Sequence, residues 1–322
     1  MSFSFGNLDK LGHSFQISFP TDENGLTGRE CPNETCLGYF KVKFGTGLKG
    51  ENLPCYCAYC GYRAGHDRFW TQDQIEYARS IMEDKVSKAL KADFENWDRS
   101  LRQNTRNSFI KLSMQFKEGY HPIRYYQEKK LETHVVCDNC TLEYAIYGAF
   151  AFCPDCGIHN SIQILKKNLE LVGKELTLAN TSEDVELSAK LIEDALENAV
   201  SSFDAFGRAT CIAYANKASN AEQAKEISFQ NIANARTRIQ NLFGVDFAKS
   251  ADAKQWTFVI QGFQKRHLVA HTMGVIDDEY LKKTNDPRAI VGRKISITAD
   301  EIIELVGLLN KLGTDLFDSL KS

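Results

Sequence analysis

From Thr71 to about Leu101, apolar residues recur at three- and four-residue steps: Ile75, Ala78, Ile81 or Met82, Val86, Ala89 and Leu90. That spacing puts them on one stripe and predicts a helix. The next stretch alternates, with Ile110, Leu112, Met114 and Phe116 on one face and Lys111, Ser113, Gln115 and Lys117 on the other. A period of two predicts a half-buried strand. Residues 1–30 are Phe-rich and broken by Gly, and read as strands and turns, while Tyr39 to Phe44 is a β-like run. After Gly157 helical periodicity dominates, predicting helices at about 160–180, 183–217, 221–243, 252–273 and 299–320. Ser182 is read as the N-cap of the second of these, and Asp252 or Ser250 as that of the fourth. Ile290 to Ile297 reads as a short strand or extended arm.

Composition narrows the class. The 322 residues suit two or three domains, and 43% apolar residues suffice for sizeable cores. With 25% charged residues, a net charge of −3 and a pI of about 6.2, long-range disorder and a strongly basic nucleic-acid glove are excluded, though a local basic patch is not. No apolar run approaches the ~20 residues of a membrane span, so no membrane partner is expected. Met1 to Lys10 carries no basic stretch followed by an apolar one, so no secretory signal is expected and the setting is read as cytoplasmic. Ten cysteines in a reducing compartment point to metal rather than disulfides.

The cysteines fall into two clusters. The second reads Cys137-Asp-Asn-Cys140, a spacer, then Cys153-Pro-Asp-Cys156-Gly157. Each Cys-x2-Cys is a tight turn aiming two thiolates at one point, and the spacer lets a hairpin join them into a tetrahedral four-sulfur zinc site. The first reads Cys31-Pro-Asn-Glu-Thr-Cys36, a longer spacer, then Cys55-Tyr-Cys57-Ala-Tyr-Cys60-Gly61. The matching Cys-x-x-Cys-Gly ending selects Cys57 and Cys60 as ligands with Cys31 and Cys36; a Cys55/Cys60 pairing stays open. Two structural Zn2+ ions are therefore expected, in clusters that resemble zinc ribbons. Four thiolates leave no position for water, so catalysis at zinc is not expected. Basic and aromatic residues lie around them: Lys41, Lys43, Lys49, Tyr56, Tyr59, Tyr62, Arg63 and Arg68, then Arg124, Tyr125, Tyr126, Lys129 and Lys130. Such mixtures bind phosphates and stack bases, or are a solvated face over core tyrosines.

The expected fold class is α+β: a β-rich N-terminal region with two four-cysteine zinc ribbons, then an all-α bundle. The expected segments are 1–70 with the first ribbon, 71–136 as a helix-plus-strand connector, 137–159 as the second ribbon, and 160–322 as the helical domain. Cys211 among Ala, Ile and Tyr reads as a buried inert thiol. His13, His66, His121, His134 and His159 are scattered, and none is read as a ligand.

Three polar residues, Arg266, His267 and His271, interrupt the apolar helix of Trp256 to Tyr280. The histidines are four apart and share a face. A zinc-protease motif would need Glu after the first histidine, where Leu268 stands. Arg266, a polar neighbour and His271 instead resemble the Arg-(polar)-x3-His motif of the HEPN superfamily. The following Gly274-Val-Ile-Asp277 and Tyr280 resemble one group of these helical domains. The resemblance spans roughly 160–320 and implies a metal-independent endoribonuclease. His271 would be the acid/base, Arg266 the phosphate clamp and His267 a supporting group, with Asp277 and Tyr280 fixing the following turn. It further implies RNA as substrate, a homodimer that faces two motifs into one cleft, and a role in stress response or phage defence, with an antitoxin or regulatory protein as a further partner. Arg266 paired with an acidic neighbour, in a zinc-ribbon adaptor that binds nucleic acid or protein and dimerises through its helices, is the rival reading.

Overall fold

In the computed structural model, residues 4–12, 14–106, 109–117, 122–124, 126–131 and 133–322 are described. The chain is α+β and divides into two compact units: Met1–Ala149 with Cys153–Gly157, and Phe150–Phe152 with Ile158–Ser322.

Among the described residues, the first unit opens with one helical turn, α1 (Gly6–Asp9), and contains six short strands and one long helix. Strands β1 (Thr27–Glu30), β2 (Tyr39–Val42), β5 (Thr133–Val136) and β6 (Glu143–Ile146) form one antiparallel sheet in the order β1-β2-β6-β5. Strands β3 (Pro54–Tyr56) and β4 (Arg63–Gly65) form a separate hairpin, followed by a 3-10 turn at His66–Phe69. The segments expected as two ribbons thus meet in a single sheet, through Lys41 opposite Ala145 and Val42 opposite Tyr144.

Helix α2 (Gln72–Asn104) begins at Thr71, which accepts from the Gln74 N–H while Gln74 returns a bond to the Thr71 N–H. This reciprocal cap satisfies two donors that the first turn would otherwise orphan. The same Gln74 donates to the Gly28 carbonyl and to the Tyr126 hydroxyl. Tyr126 and Tyr39 both donate to Glu128, which also accepts from the Gly28 N–H at 2.7 Å. This buried network ties the start of α2 to the sheet.

The strand expected at 110–116 is absent. Ile110 and Leu112 are exposed, and only Met114 and Phe116 are half-buried. Among the described residues no strand pairs with this segment. The Met114 N–H bonds to Asp98 of α2 at 2.8 Å, and Phe116 stacks on Phe94 of α2 at 5.1 Å. The alternation therefore records an extended segment lying along a helix.

The second unit is helical: α3 (Ser161–Thr181), α4 (Val185–Ala213), α5 (Ala221–Lys225), α6 (Ile232–Phe243), α7 (Ala253–Thr272), α8 (Asp278–Thr284) and α9 (Ala299–Lys321). Helices α3 and α4 pack as a long hairpin, and α9 and α7 close its apolar side around Phe203, Phe206, Phe229, Phe247 and Phe263. Ser182 closes α3 instead of opening α4; Asp184 caps α4, accepting from the Glu186 and Leu187 N–H groups. Asp252 caps α7, as one of the two alternatives read from the sequence.

The helix expected at 221–243 is broken. The Phe229 N–H leaves the helical ladder to bond Asp204 at 2.6 Å, its ring is fully buried against Gly207, and Asn231 restarts the chain as α6. The 290–297 segment is an extended arm. It forms one β-bridge, Val275 to Lys294, flanked by Ile276 N–H to Arg293 O and Ile295 N–H to Gly274 O.

Candidate functional site

All eight expected cysteine ligands gather into two groups, Cys31/Cys36/Cys57/Cys60 and Cys137/Cys140/Cys153/Cys156. Each pair sits in a turn, and three of the turns join named strands: β1–β2, β3–β4 and β5–β6. One hydrogen-bond plan recurs. The residue after the second cysteine donates to the carbonyl of the first: Gly61 to Cys57 at 3.0 Å, Thr141 to Cys137 at 2.8 Å and Gly157 to Cys153 at 2.9 Å. In Cys31-x4-Cys36 two extra residues move the acceptor to Asn33, reached from Leu37 at 3.0 Å. That donor residue is left-handed in all four turns, with φ of 47° at Leu37, 69° at Gly61, 64° at Thr141 and 68° at Gly157. Glycine takes this conformation without steric cost, which explains the two Cys-x-x-Cys-Gly endings. Leu37 and Thr141 reach it without that sequence signal.

The sulfur spacing tests the fit to a metal. A tetrahedral ion with metal–sulfur bonds of about 2.3 Å has sulfur–sulfur edges of about 3.8 Å. Cys31–Cys60 and Cys36–Cys57 are 3.6 and 3.7 Å apart, and Cys137–Cys156 and Cys140–Cys153 are 3.7 and 3.4 Å apart. Disulfides need about 2.05 Å, so these are not covalent pairs. Proton sharing points the same way. Hydrogen bonding with Cys153 and Cys156 holds the Cys137 thiol far below its usual range, and hydrogen bonding with Cys137 and Cys156 pushes Cys153 up. Burial pushes Cys31 to about 12. Four thiolates coexist at such a point only around a cation. Both groups therefore fit a four-thiolate structural ion with no open position.

Cys57, not Cys55, joins the first group. Cys55 is fully buried in β3, and burial pushes its thiol up to about 12. Cys211 is likewise buried in α4 and pushed up to about 12. A thiol that stays protonated is a packing group.

Much of the expected basic-aromatic surface is already committed. Lys41 is buried and paired with Asp22 at 2.8 Å, Lys43 pairs with Glu143 at 2.7 Å, and Arg124 pairs with Glu76. Tyr126 belongs to the buried Glu128 network, Tyr59 donates to the Tyr39 carbonyl, and Lys129 lies 5.0 Å over the Tyr39 ring. Lys49, Tyr62, Arg63, Arg68 and Lys130 are exposed; Tyr125 lies outside the described residues. Sequence reasoning did not single out Arg29, which is fully buried with its guanidinium between Phe44 at 4.8 Å and Trp70 at 4.6 Å.

Arg266, His267 and His271 occupy the last two turns of α7. The Arg266 guanidinium is half-buried and meets Glu197 of α4 at 3.4 Å, while its Nε is buried without a hydrogen-bond partner. His267 and His271 are exposed, with ring centres 4.6 Å apart. After α7 the chain turns through Met273 and Gly274, both at positive φ. Asp277 caps α8 by accepting the Tyr280 N–H at 2.7 Å, and buried Tyr280 donates to Asp286 at 3.1 Å. Both residues hold the turn that follows α7. One turn before Glu197 on α4, Glu193 pairs with Lys294 of the extended arm at 2.8 Å. Two carboxylates on one face of α4 thus hold one cation of α7 and one of the arm. Neither acid was singled out in the sequence, because each partner lies far away along the chain.

Comparison with protein-family models, curated proteins and solved structures finds no counterpart for this chain. The reading of the site therefore stands on its residues.

Among the described residues, the other histidines join no group of three or more side chains that could hold a metal. Burial lowers the His66 pKa, with Arg29 adding to the effect, and its Nδ1 has no partner. His159 is buried between Phe150 and Phe152, and burial pushes its pKa down to about 4. His134 is exposed on β5, and His13 and His121 lie outside the described residues. No described helix is long and apolar enough to cross a membrane.

Proposed function

We propose that this chain is a metal-independent endoribonuclease of HEPN type whose two ribbons are structural zinc modules that hold RNA or a controlling partner. The observation that carries the nuclease reading is the state of Arg266. Its bond to Glu197 is long at 3.4 Å, and 20% of its side chain stays exposed. A guanidinium with donors in reserve can take a phosphate. The two imidazoles beside it on the same helix end are exposed and reach solvent-borne substrate.

In the proposed reaction the ribose 2′-OH attacks the adjacent phosphorus. His271 takes the hydroxyl proton, or protonates the departing 5′-oxygen, with the facing copy in a homodimer supplying the complementary group. The phosphorus–5′-oxygen bond breaks as the phosphorus–2′-oxygen bond forms, leaving a 2′,3′-cyclic phosphate and a 5′-hydroxyl. Arg266 stabilises the charge growing on the equatorial oxygens, and His267 supports His271. Zinc in the ribbons suits four thiolates at these spacings and supplies folding energy, not chemistry. Stress response or defence, with an antitoxin or regulator, is the setting the resemblance implies.

The Glu197 pair also favours the rival, in which Arg266 is a structural cation and the chain is a binding adaptor. Labelled single-stranded RNA and matching DNA, incubated with the metal-loaded protein in buffer without added divalent ions, separate the two. Cleavage of RNA alone to cyclic-phosphate ends, lost in Arg266→Ala and His271→Ala, is expected. Intact RNA that is nonetheless bound, with both variants behaving as the parent, would leave the adaptor.

A further inference from the structure

We propose that His267 and His271 form a third metal site, a bidentate clamp for a borderline transition dication such as Zn2+, separate from the two cysteine clusters. Three observations carry it. The residues are one turn apart on α7, and both rings are exposed, so an ion reaches them without disturbing the core. Their ring centres stand 4.6 Å apart. With metal–nitrogen bonds of about 2.0–2.1 Å, two imidazoles on one ion place their centres about 4.5 Å apart at a right angle and about 5.2 Å at a tetrahedral angle. The observed spacing lies within that range, so small ring rotations complete the chelate. The third observation is electrostatic. The clamp ends a 20-residue helix whose C-terminal carbonyls favour a cation. Glu279, in the first turn of α8, is exposed and pairs with Lys283 on its own helix at 2.6 Å. It offers an exposed carboxylate on the next helix, and water completes the coordination sphere.

An ion held there would shut the proposed cleavage, because a metal-bound imidazole neither accepts nor donates a proton. This regulatory use rests on the ribonuclease reading above; the site itself does not. The chain would then respond in opposite ways to one element, with zinc required in the ribbons for folding and inhibitory when it spills onto α7.

The full chain, purified with its cysteine sites loaded, is dialysed against buffered free zinc, and metal per chain is counted. A third equivalent is expected above the two in the clusters, and both His267→Ala and His271→Ala should lose it. Both side chains are exposed, so an unchanged melting curve will show that the variants fold. A parent chain that stays at two equivalents, or a third ion that persists in the double variant, overturns the site. In parallel, cleavage is followed with and without zinc at the level that fills the third position. A His-dependent third ion with no cleavage under any condition sinks the ribonuclease reading and leaves the metal site standing. Cleavage that continues undiminished with the third ion bound overturns the regulatory use.

Discussion

Replacing Glu197 with Gln removes the carboxylate that faces Arg266 while keeping the side chain's size. Two consequences follow, and they differ in size. For stability, the pair is long at 3.4 Å and Glu197 is 44% exposed. Such a pair contributes about 0–1 kcal/mol, so the melting temperature should move by at most ~4 °C. For RNA binding the sign reverses. A phosphate taken by Arg266 would sit ~7 Å from the Glu197 carboxylate, where repulsion amounts to about 0.6 kcal/mol at the dielectric of water and about 2.4 kcal/mol at an effective constant of 20. Removing that repulsion should tighten binding about 3- to 60-fold. The measurement is fluorescence anisotropy with a labelled single-stranded RNA at fixed salt, in a His271→Ala background so that the probe survives. Arg266→Ala in the same background should weaken binding. If Glu197→Gln leaves affinity unchanged or weakens it, Arg266 is not a phosphate clamp, and the pair is structural.

Other outcomes follow from the same geometry. Cys140→Ser should halve the bound metal and melt the β5–β6 hairpin that carries the second cluster, since ion binding and folding are one step there, whereas Cys55→Ser and Cys211→Ser should keep both ions; metal analysis and calorimetry will tell. At Gly207 an added Cβ would run into the buried Phe229 ring, so Gly207→Ala should cost about 1–3 kcal/mol by overpacking, read by denaturant melts. His159 titrates near its ordinary value of about 6.5 when unfolded but only at about 4 when buried, so the unfolded chain binds the extra proton first. Stability is then full above about pH 6.5 and falls by about 3 kcal/mol toward pH 4. His159→Phe should flatten that slope relative to the parent, and identical slopes would refute the assignment.

How much of this was legible in the sequence depends on the range over which each signal acts. The helices of the second unit were written in local periodicity, and so were the cysteine turns, because a Cys-x-x-Cys pair fixes its own backbone. Cys57 over Cys55 followed from matching the two endings. What escaped depended on distant partners. The run from Ile110 to Phe116 has a strand's alternation but found a helix to lie on. The break at Phe229 arises because Asp204, on another helix, draws its N–H away. α8 is only seven residues long, too short for a period to declare itself. Glu197 lies 69 residues from Arg266, so no local pattern could mark it as the residue that meets the guanidinium.

The joining of β2 to β6 has a consequence for a chain caught with only one ion. Each strand is both part of one cluster's hairpin and the neighbour that completes the other's edge. When one hairpin melts, the survivor is left presenting a bare row of amide and carbonyl groups, the template on which separate chains stack and aggregate. Half-metallated protein is thus the hazardous form, more so than protein stripped of both ions, and gradual loss of metal should precipitate this chain where abrupt chelation only unfolds it.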